Sequence, residues 1–335
     1  MATVQILDGG LGTSLGDLYN VKFTSTSTPL WASHMLISDP PTLEACQSDF
    51  GRAGVDILLT ATYQVSPEGF MRTKTAEHSE GIPRGAIAPY LRTAVDIALR
   101  AKVRDTASVA LSLGPYGACM IPGQEYSGKY DAEHDSEESL YVWHLERLRM
   151  FVEAGVEGLK YVAFETLPRL DEVRAVRRAM ADSEINVPFW IACVFPREDE
   201  LLPDGSAVGD VVKAMLGPGG QVPWGVGINC TKMHKLSGLV DSFGRAVMEV
   251  GGDVPSLVLY PDGTNGEVYN TTTQVWEKPS EWNDNVSDNR PWEVQLAQVV
   301  NESYEKGHFK SFLVGGCCKA SHHDIKKLGE QFKAK

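Results

Sequence analysis

The sequence predicts a closed (β/α)8 barrel. Eight short apolar or β-branched runs follow one another along the 335 residues, stretches with helical spacing separate them, and the runs are apolar nearly throughout rather than alternating. Continuous apolar runs suit strands covered on both faces of a parallel sheet. Eight strand–helix units match the barrel better than the alternative, a doubly wound open sheet.

The runs read as strands are VQILDGG (4–10), VDILLTATY (55–63), SVALSLGPYG (108–117), GLKYVAFET (158–166), PFWIACVF (188–195), WGVGINC (224–230), SLVLYPDG (256–263) and SFLVGGCC (311–318). After the first, Leu43, Cys46, Phe50 and Ala53 recur at helical spacing, and after the second Ile87, Leu91, Ala94 and Ala98 do the same. Ser321 and Asp324 have the spacing of a capping box, opening a last helix with Ile325, Leu328 and Phe332 on one face. No linker, charge block or internal repeat divides the chain, so residues 1–335 are expected to form a single barrel domain. Two connections exceed a tight turn, 118–138 (ACMIPGQEYSGKYDAEHDSEE) and 264–290. Both follow strands, where long loops carry function.

Composition narrows the class. The chain is 43% hydrophobic and carries a net charge of −13, without a Lys/Arg cluster interleaved with aromatics, so neither nucleic acid nor an anionic membrane is an expected partner. It lacks an 18-residue apolar run and a secretory leader, which makes a cytoplasmic protein the expectation. Six cysteines spread through so long a chain are expected to be free thiols or metal ligands in a reducing compartment.

Barrel active sites lie at the C-terminal ends of the strands. Asp8 ends the first predicted strand, Glu165 the fourth, Cys230 the sixth, and Cys317 with Cys318 the eighth. Five reactive groups from four separate stretches of the chain thereby share one face. Cys46, on a helical stripe, and Cys193, inside a strand, read as small hydrophobes. Cys119 opens a long loop, and its role stays open.

Three thiolates from two strand ends can bind zinc with one tetrahedral position free, the ligand count of a catalytic rather than a structural site. The spacing is not C-x-x-C, so competing readings stand beside it. Gly315 and Gly316, before a helix, would also suit a phosphate cradle, which makes a phosphate-binding aldolase or isomerase an alternative. The thiols could be buried filler, or belong to a non-catalytic zinc or thiol-sensing protein. His234, His322 and His323 lie near the cysteine segments as rival ligands or solvated loop residues, and DGGLGTSL has neither a Walker lysine nor G-x-G-x-x-G spacing.

The chain resembles the homocysteine S-methyltransferases in ILDGGLGTSL, PLWASHML, ILLTATYQVS, LSLGPYGACMIPGQEYSGKY, FETLP, LPDGS, GINC, LYPDGTNGEVYN and VGGCC, motifs that span nearly its whole length. The resemblance implies a (β/α)8 barrel, one zinc ion on Cys230, Cys317 and Cys318, and Asp8 and Glu165 holding the amino acid portion of homocysteine. It further implies that Trp31 and Tyr63 match aromatic positions of the methyl-donor site, where an onium group can rest by cation–π attraction. Core packing is their competing role. Betaine-dependent members carry tyrosine directly after the matching Glu, where this chain has Thr166, so the resemblance favours S-methylmethionine first and S-adenosylmethionine second as donor. The expected partners are these small molecules; oligomeric state leaves no mark in the sequence. The chain departs from the family at Lys319, Ala320, Ser321 and His322, where Arg and a Thr-Thr-Pro-like helix start are usual, and at Asp262, where Asn is usual.

Overall fold

The structure, a computed structural model, describes residues 3–264, 267–270, 275–277 and 290–333. Its central sheet has eight parallel strands: β1 (Thr3–Ile6), β2 (Ile57–Leu59), β3 (Ser108–Leu113), β4 (Leu159–Leu167), β5 (Phe189–Cys193), β6 (Gly225–Asn229), β7 (Ser256–Tyr260) and β10 (Ser311–Val314). Two further strands, β8 (Val268–Asn270) and β9 (Val275–Glu277), form a separate antiparallel pair. Around the sheet the order is β1-β10-β7-β6-β5-β4-β3-β2, and a parallel bridge between Leu7 and Ile57 joins β2 back to β1. The barrel is thus nearly closed, with helices between successive strands, as the sequence predicts.

Two apolar layers hold it together. Outside, the strands pack against the helices: Leu43, Cys46 and Phe50 of Pro40–Ala53 are buried, as are Leu91, Ala94 and Ala98 of Ala88–Ala101. Inside, Leu7, Ile57, Ala110, Ala163, Trp190, Val258 and Leu313 fill the barrel. The interior leaves no room for a side chain at Gly225, where a Cβ would lie 2.7 Å from Val258 Cγ2. The indole Nε1 of Trp190 donates to the Tyr260 hydroxyl at 3.2 Å, so the interior ends in a polar contact directed toward the C-terminal end.

Apart from β4, which runs one residue past its predicted end, the strands are shorter than the apolar runs, because the residues after them turn into loops at the site. The helix expected after the first strand, Pro40–Ala53, is preceded by the helix Leu11–Tyr19 and by a short helical stretch over 31–38. The capping box forms as predicted, with Ser321 N donating to Asp324 Oδ2 at 2.9 Å, and Ile325 and Leu328 are buried. The segment 118–138 begins in a short helical turn, Tyr116–Cys119, and ends at the helix Glu137–Glu153. Most of 264–290 lies outside the described residues. Among the described residues no helix is long and apolar enough to cross a membrane.

Candidate metal and substrate site

The C-terminal end of the barrel opens into a cavity of about 570 Å³ lined by Asp8, Trp31, Tyr63, Glu165, Cys230, Cys317 and Cys318 among others, a size that suits small-molecule binding. All seven residues singled out from the sequence therefore border one space.

The two carboxyls arrive from different strands. Asp8 follows β1, 4% exposed; its Oδ2 accepts the Leu59 amide at 2.8 Å, whereas its buried Oδ1 has no hydrogen-bond partner among the described residues. Burial pushes the Asp8 carboxyl well above the usual range, and the charge of Glu165 raises it further. Glu165 lies within β4, two residues before its end, and is 5% exposed. Its carboxylate accepts from the Ser112 hydroxyl and from Tyr260, yet burial still lifts it to about 7. Two acids this poorly solvated favour a cationic partner.

The sulfurs come from β6 and β10. Cys230 directly follows β6, and Cys317 and Cys318 follow β10; their three sulfurs lie within 4.8 Å of one another, the one such group among the described residues. The expectation of free thiols needs correction at one pair: Cys230 and Cys317 are joined by a disulfide, with Cys318 Sγ 3.9 Å from Cys317 Sγ. Sulfurs gathered closely enough to bind one metal are also close enough to bond to each other. The donor set nevertheless fits a thiophilic ion, since soft thiolates select zinc over hard cations. Burial pushes the Cys318 thiol up to about 12, while a hydrogen bond from Tyr126 works against that rise.

Asn229 braces the sulfur end. Its Oδ1 accepts the Thr166 amide at 2.7 Å, and its Nδ2 donates to Thr166 Oγ1 at 2.7 Å and to Cys230 Sγ at 3.4 Å. Thr166 and Cys230 both have left-handed backbone, φ 61° and 45°, so this amide holds together two residues in sparsely populated conformations.

The aromatics rest against glycines. A Cβ at Gly12 would lie 2.4 Å from the Trp31 ring, and one at Gly114 would lie 2.7 Å from Tyr63 Cε2. Phe23 flanks Trp31 with ring centroids 5.9 Å apart. Lys319 also borders the cavity, with Nζ paired to Asp17 at 2.8 Å and φ 63°. Asp262 accepts from Thr264 Oγ1 at 2.9 Å.

The phosphate-cradle alternative finds no support in the glycines. The Gly315 amide donates to Leu259 O and the Gly316 amide to Asp8 O, and a Cβ on Gly315 would meet that same carbonyl at 2.6 Å. They serve close backbone packing. The histidines stand apart from the sulfur group: His234 Nε2 lies 3.1 Å from Glu198, while His322 packs against Phe50 and His323. Cys46, Cys119 and Cys193 are buried; Cys119 Sγ donates to Gln64 O at 3.5 Å, and burial lifts that thiol to about 11. Sequence reasoning missed Ser112, Asn229, Tyr260 and Glu125. The first three shared one signal, a polar residue near the C-terminal end of an otherwise apolar strand.

A barrel whose C-terminal mouth gathers three sulfurs and two buried acids has the construction of an enzyme site rather than of a structural metal clip. Comparison with known proteins gives the family. The sequence model of the family "Homocysteine S-methyltransferase" matches residues 5–332. Homocysteine S-methyltransferase 2 of Zea mays is 30% identical over 96% of this chain and 88% of its own length, and Homocysteine S-methyltransferase of Escherichia coli is 28% identical over 97% and 94%. The crystal structure of the metallated form of the homocysteine methyltransferase MmuM from E. coli superposes with a TM-score of 0.72 at 25% identity, covering 98% of this chain and 96% of that one. The oxidized form of the same enzyme matches with the same TM-score. The chain belongs to the homocysteine S-methyltransferase family, and it is accordingly a methyltransferase.

Proposed function

We propose that the protein is a cytoplasmic, zinc-dependent enzyme that moves a methyl group from a sulfonium donor to the sulfur of L-homocysteine, giving methionine. The donor is S-methylmethionine in first place and S-adenosylmethionine in second, and residues 1–335 act as one homocysteine-binding barrel domain. The observation that carries this reading is the group of three cysteine sulfurs within 4.8 Å, on a cavity wall shared with two buried carboxyls.

Cys230, Cys317 and Cys318 would hold one zinc ion, after a thiol reductant has delivered two electrons and two protons to the Cys230–Cys317 disulfide. When bound, the metal supplies the Lewis acidity that removes the proton from a coordinated thiol. A free thiol, with an ordinary pKa of about 8.5, is only a few per cent thiolate at neutral pH. The chain's own contribution is position and charge. Asp8 and Glu165 bind the ammonium group of homocysteine, which lowers their raised pKa values and leaves both ionised. Neither is needed as a general base. Trp31 and Tyr63 hold the onium centre of the donor in line with the acceptor sulfur. The new bond forms between that sulfur and the methyl carbon, and the carbon–sulfonium bond breaks. Its electron pair stays on the donor sulfur, now a neutral thioether, and the acceptor's proton passes to solvent.

Thr166 supports a sulfonium rather than betaine. Its side chain is buried and committed to Asn229, leaving no aromatic wall at that position. The test is to reduce the purified protein, measure zinc per chain, and compare methionine formation from homocysteine with S-methylmethionine, S-adenosylmethionine and betaine. Cys230→Ala, Cys317→Ala and Cys318→Ala are each expected to lose zinc and activity together. Full activity in a metal-free single variant would refute the zinc reading, and betaine turnover equal to that with S-methylmethionine would refute the donor reading.

A further inference from the structure

Glu125 is a third buried acid at the cavity, beside Asp8 and Glu165, whose proposed roles leave it unused; the exposed Asp17, also on the cavity wall, is paired to Lys319. It belongs to the loop after β3, within PGQEYSG, and is 9% exposed. Its Oε2 is buried without a hydrogen-bond partner among the described residues. Gly123 makes room for this carboxyl: a Cβ there would lie 2.5 Å from Oε2. The neighbouring Tyr126 hydrogen-bonds to Cys318, and the charge of Glu125 is felt by Tyr63, Tyr126 and Cys318. A buried carboxylate without a cation costs stability. Burial accordingly lifts this one to about 7.

Charge accounting identifies the missing partner. Homocysteine brings one ammonium, which Asp8 and Glu165 already face. S-methylmethionine brings two cationic centres, the sulfonium and an α-ammonium, against one carboxylate. A carboxylate beside the sulfonium would oppose the reaction, because that charge vanishes as the methyl group leaves and the contact would be stronger in the ground state than in the transition state. The α-ammonium keeps its charge throughout, so pairing it costs the chemical step nothing.

Building on the donor reading above, we propose that Glu125 binds the α-ammonium group of the sulfonium donor and selects donors that carry one. The contact is uniform across the reaction, so its loss acts on donor KM rather than on kcat.

The experiment uses the reduced, zinc-loaded full chain and E125Q, with S-methylmethionine and with dimethylsulfonioacetate, a sulfonium lacking the ammonium, measured as donor or as competitive inhibitor. E125Q is expected to raise KM for S-methylmethionine by about 10- to 100-fold, the range for losing one charge-assisted hydrogen bond. KM for homocysteine, zinc per chain and the constant for dimethylsulfonioacetate should change less than about 3-fold, which a general loosening of the loop would not spare. Equal losses with both sulfonium compounds, a matching rise in homocysteine KM, or an unchanged S-methylmethionine KM would each overturn the assignment of Glu125. A wild-type enzyme inactive with S-methylmethionine would instead overturn the donor reading on which it rests.

Discussion

Asn229→Ala tests how the sulfur end of the cavity is held. Asn229 is 1% exposed, and its amide makes two 2.7 Å hydrogen bonds to Thr166 and a longer one to Cys230 Sγ. Losing the two short bonds removes about 2 kcal/mol, and leaving the buried Thr166 amide unpaired adds about 1 to 3 kcal/mol. Part of this returns if Thr166 leaves its left-handed conformation, where strain runs to about 1–3 kcal/mol. A net loss of about 3 kcal/mol follows, equivalent to roughly 5 °C in the thermal midpoint of a chain this long. Scanning calorimetry of the reduced proteins measures it, and the cycle with Thr166→Val should show coupling of about 1 kcal/mol. Because Cys230 is held by the same amide, the zinc reading proposed above predicts that zinc affinity falls by about 10- to 100-fold, the effect of removing a group that orients a metal ligand. A midpoint within about 1 °C of wild type, with unchanged zinc affinity, would refute the bracing role.

Three other perturbations probe the remaining walls. Gly12→Ala would put a methyl group 2.4 Å from the Trp31 ring; the indole must move, so KM for the sulfonium donor should rise several-fold while zinc content stays unchanged, and unaltered kinetics would remove Trp31 from the donor site. Glu165, raised from 4.5 to about 7 by burial, favours the folded state when protonated. Its stabilising contribution is full below about pH 4.5 and lost as pH rises through 7, so the stability gained by Glu165→Gln should grow to roughly 3 kcal/mol between pH 5 and 8. Replacing Glu165 also frees the Asp8 carboxyl from the charge that raises it, which widens the gap in the same direction as pH rises, so a gap flat across that range contradicts the shift. Arg147, fully buried, donates to the carbonyls of Gly114 (2.6 Å), Thr62 (3.1 Å) and Tyr63 (2.5 Å); Arg147→Met should cost at least about 3 kcal/mol by leaving these acceptors unpaired, and a loss below about 1 kcal/mol would show that water replaces the guanidinium.

The barrel was legible because its strands are buried on both faces, which writes continuous apolar runs such as SVALSL and FWIAC into the sequence. The cysteines were legible as a set once strand ends were aligned, since barrel topology turns a separation of 87 residues between Cys230 and Cys317 into adjacency. The disulfide was not legible: the spacing that permits three sulfurs to share an ion equally permits two of them to bond, and composition speaks only to the expected compartment. Glu125 escaped notice because loop polarity is the default, and only the fold shows its carboxyl to be buried. Leu11–Tyr19 escaped because DGGLGTSL reads as turn chemistry, although its glycines serve close approach, Gly12 to Trp31 and Gly10 to the carbonyl of Cys317.

The order of strands around the barrel gives these groups a common logic. β10, β7 and β6 are consecutive, and Cys317, Cys318, Tyr260 and Cys230 lie at their ends. β3 and β2 lie on another arc, and the segments that follow them supply Glu125 and Tyr63, while Trp31 comes from the segment after β1. Asp8, after β1, and Glu165, on β4, border the gap from its two sides. On the proposed reading, acceptor sulfur and donor onium approach from opposite arcs, and the two boundary acids anchor the acceptor's ammonium between them. The arrangement separates the cations that must remain charged from the one that must disappear. The former meet carboxylates, whereas the sulfonium meets aromatic faces, whose weaker attraction is the smaller loss when its charge is neutralised. Substituting a carboxylate among those aromatics, as in Tyr63→Glu, should therefore tighten donor binding while lowering kcat. An increase in both KM and kcat would show that the onium does not rest there.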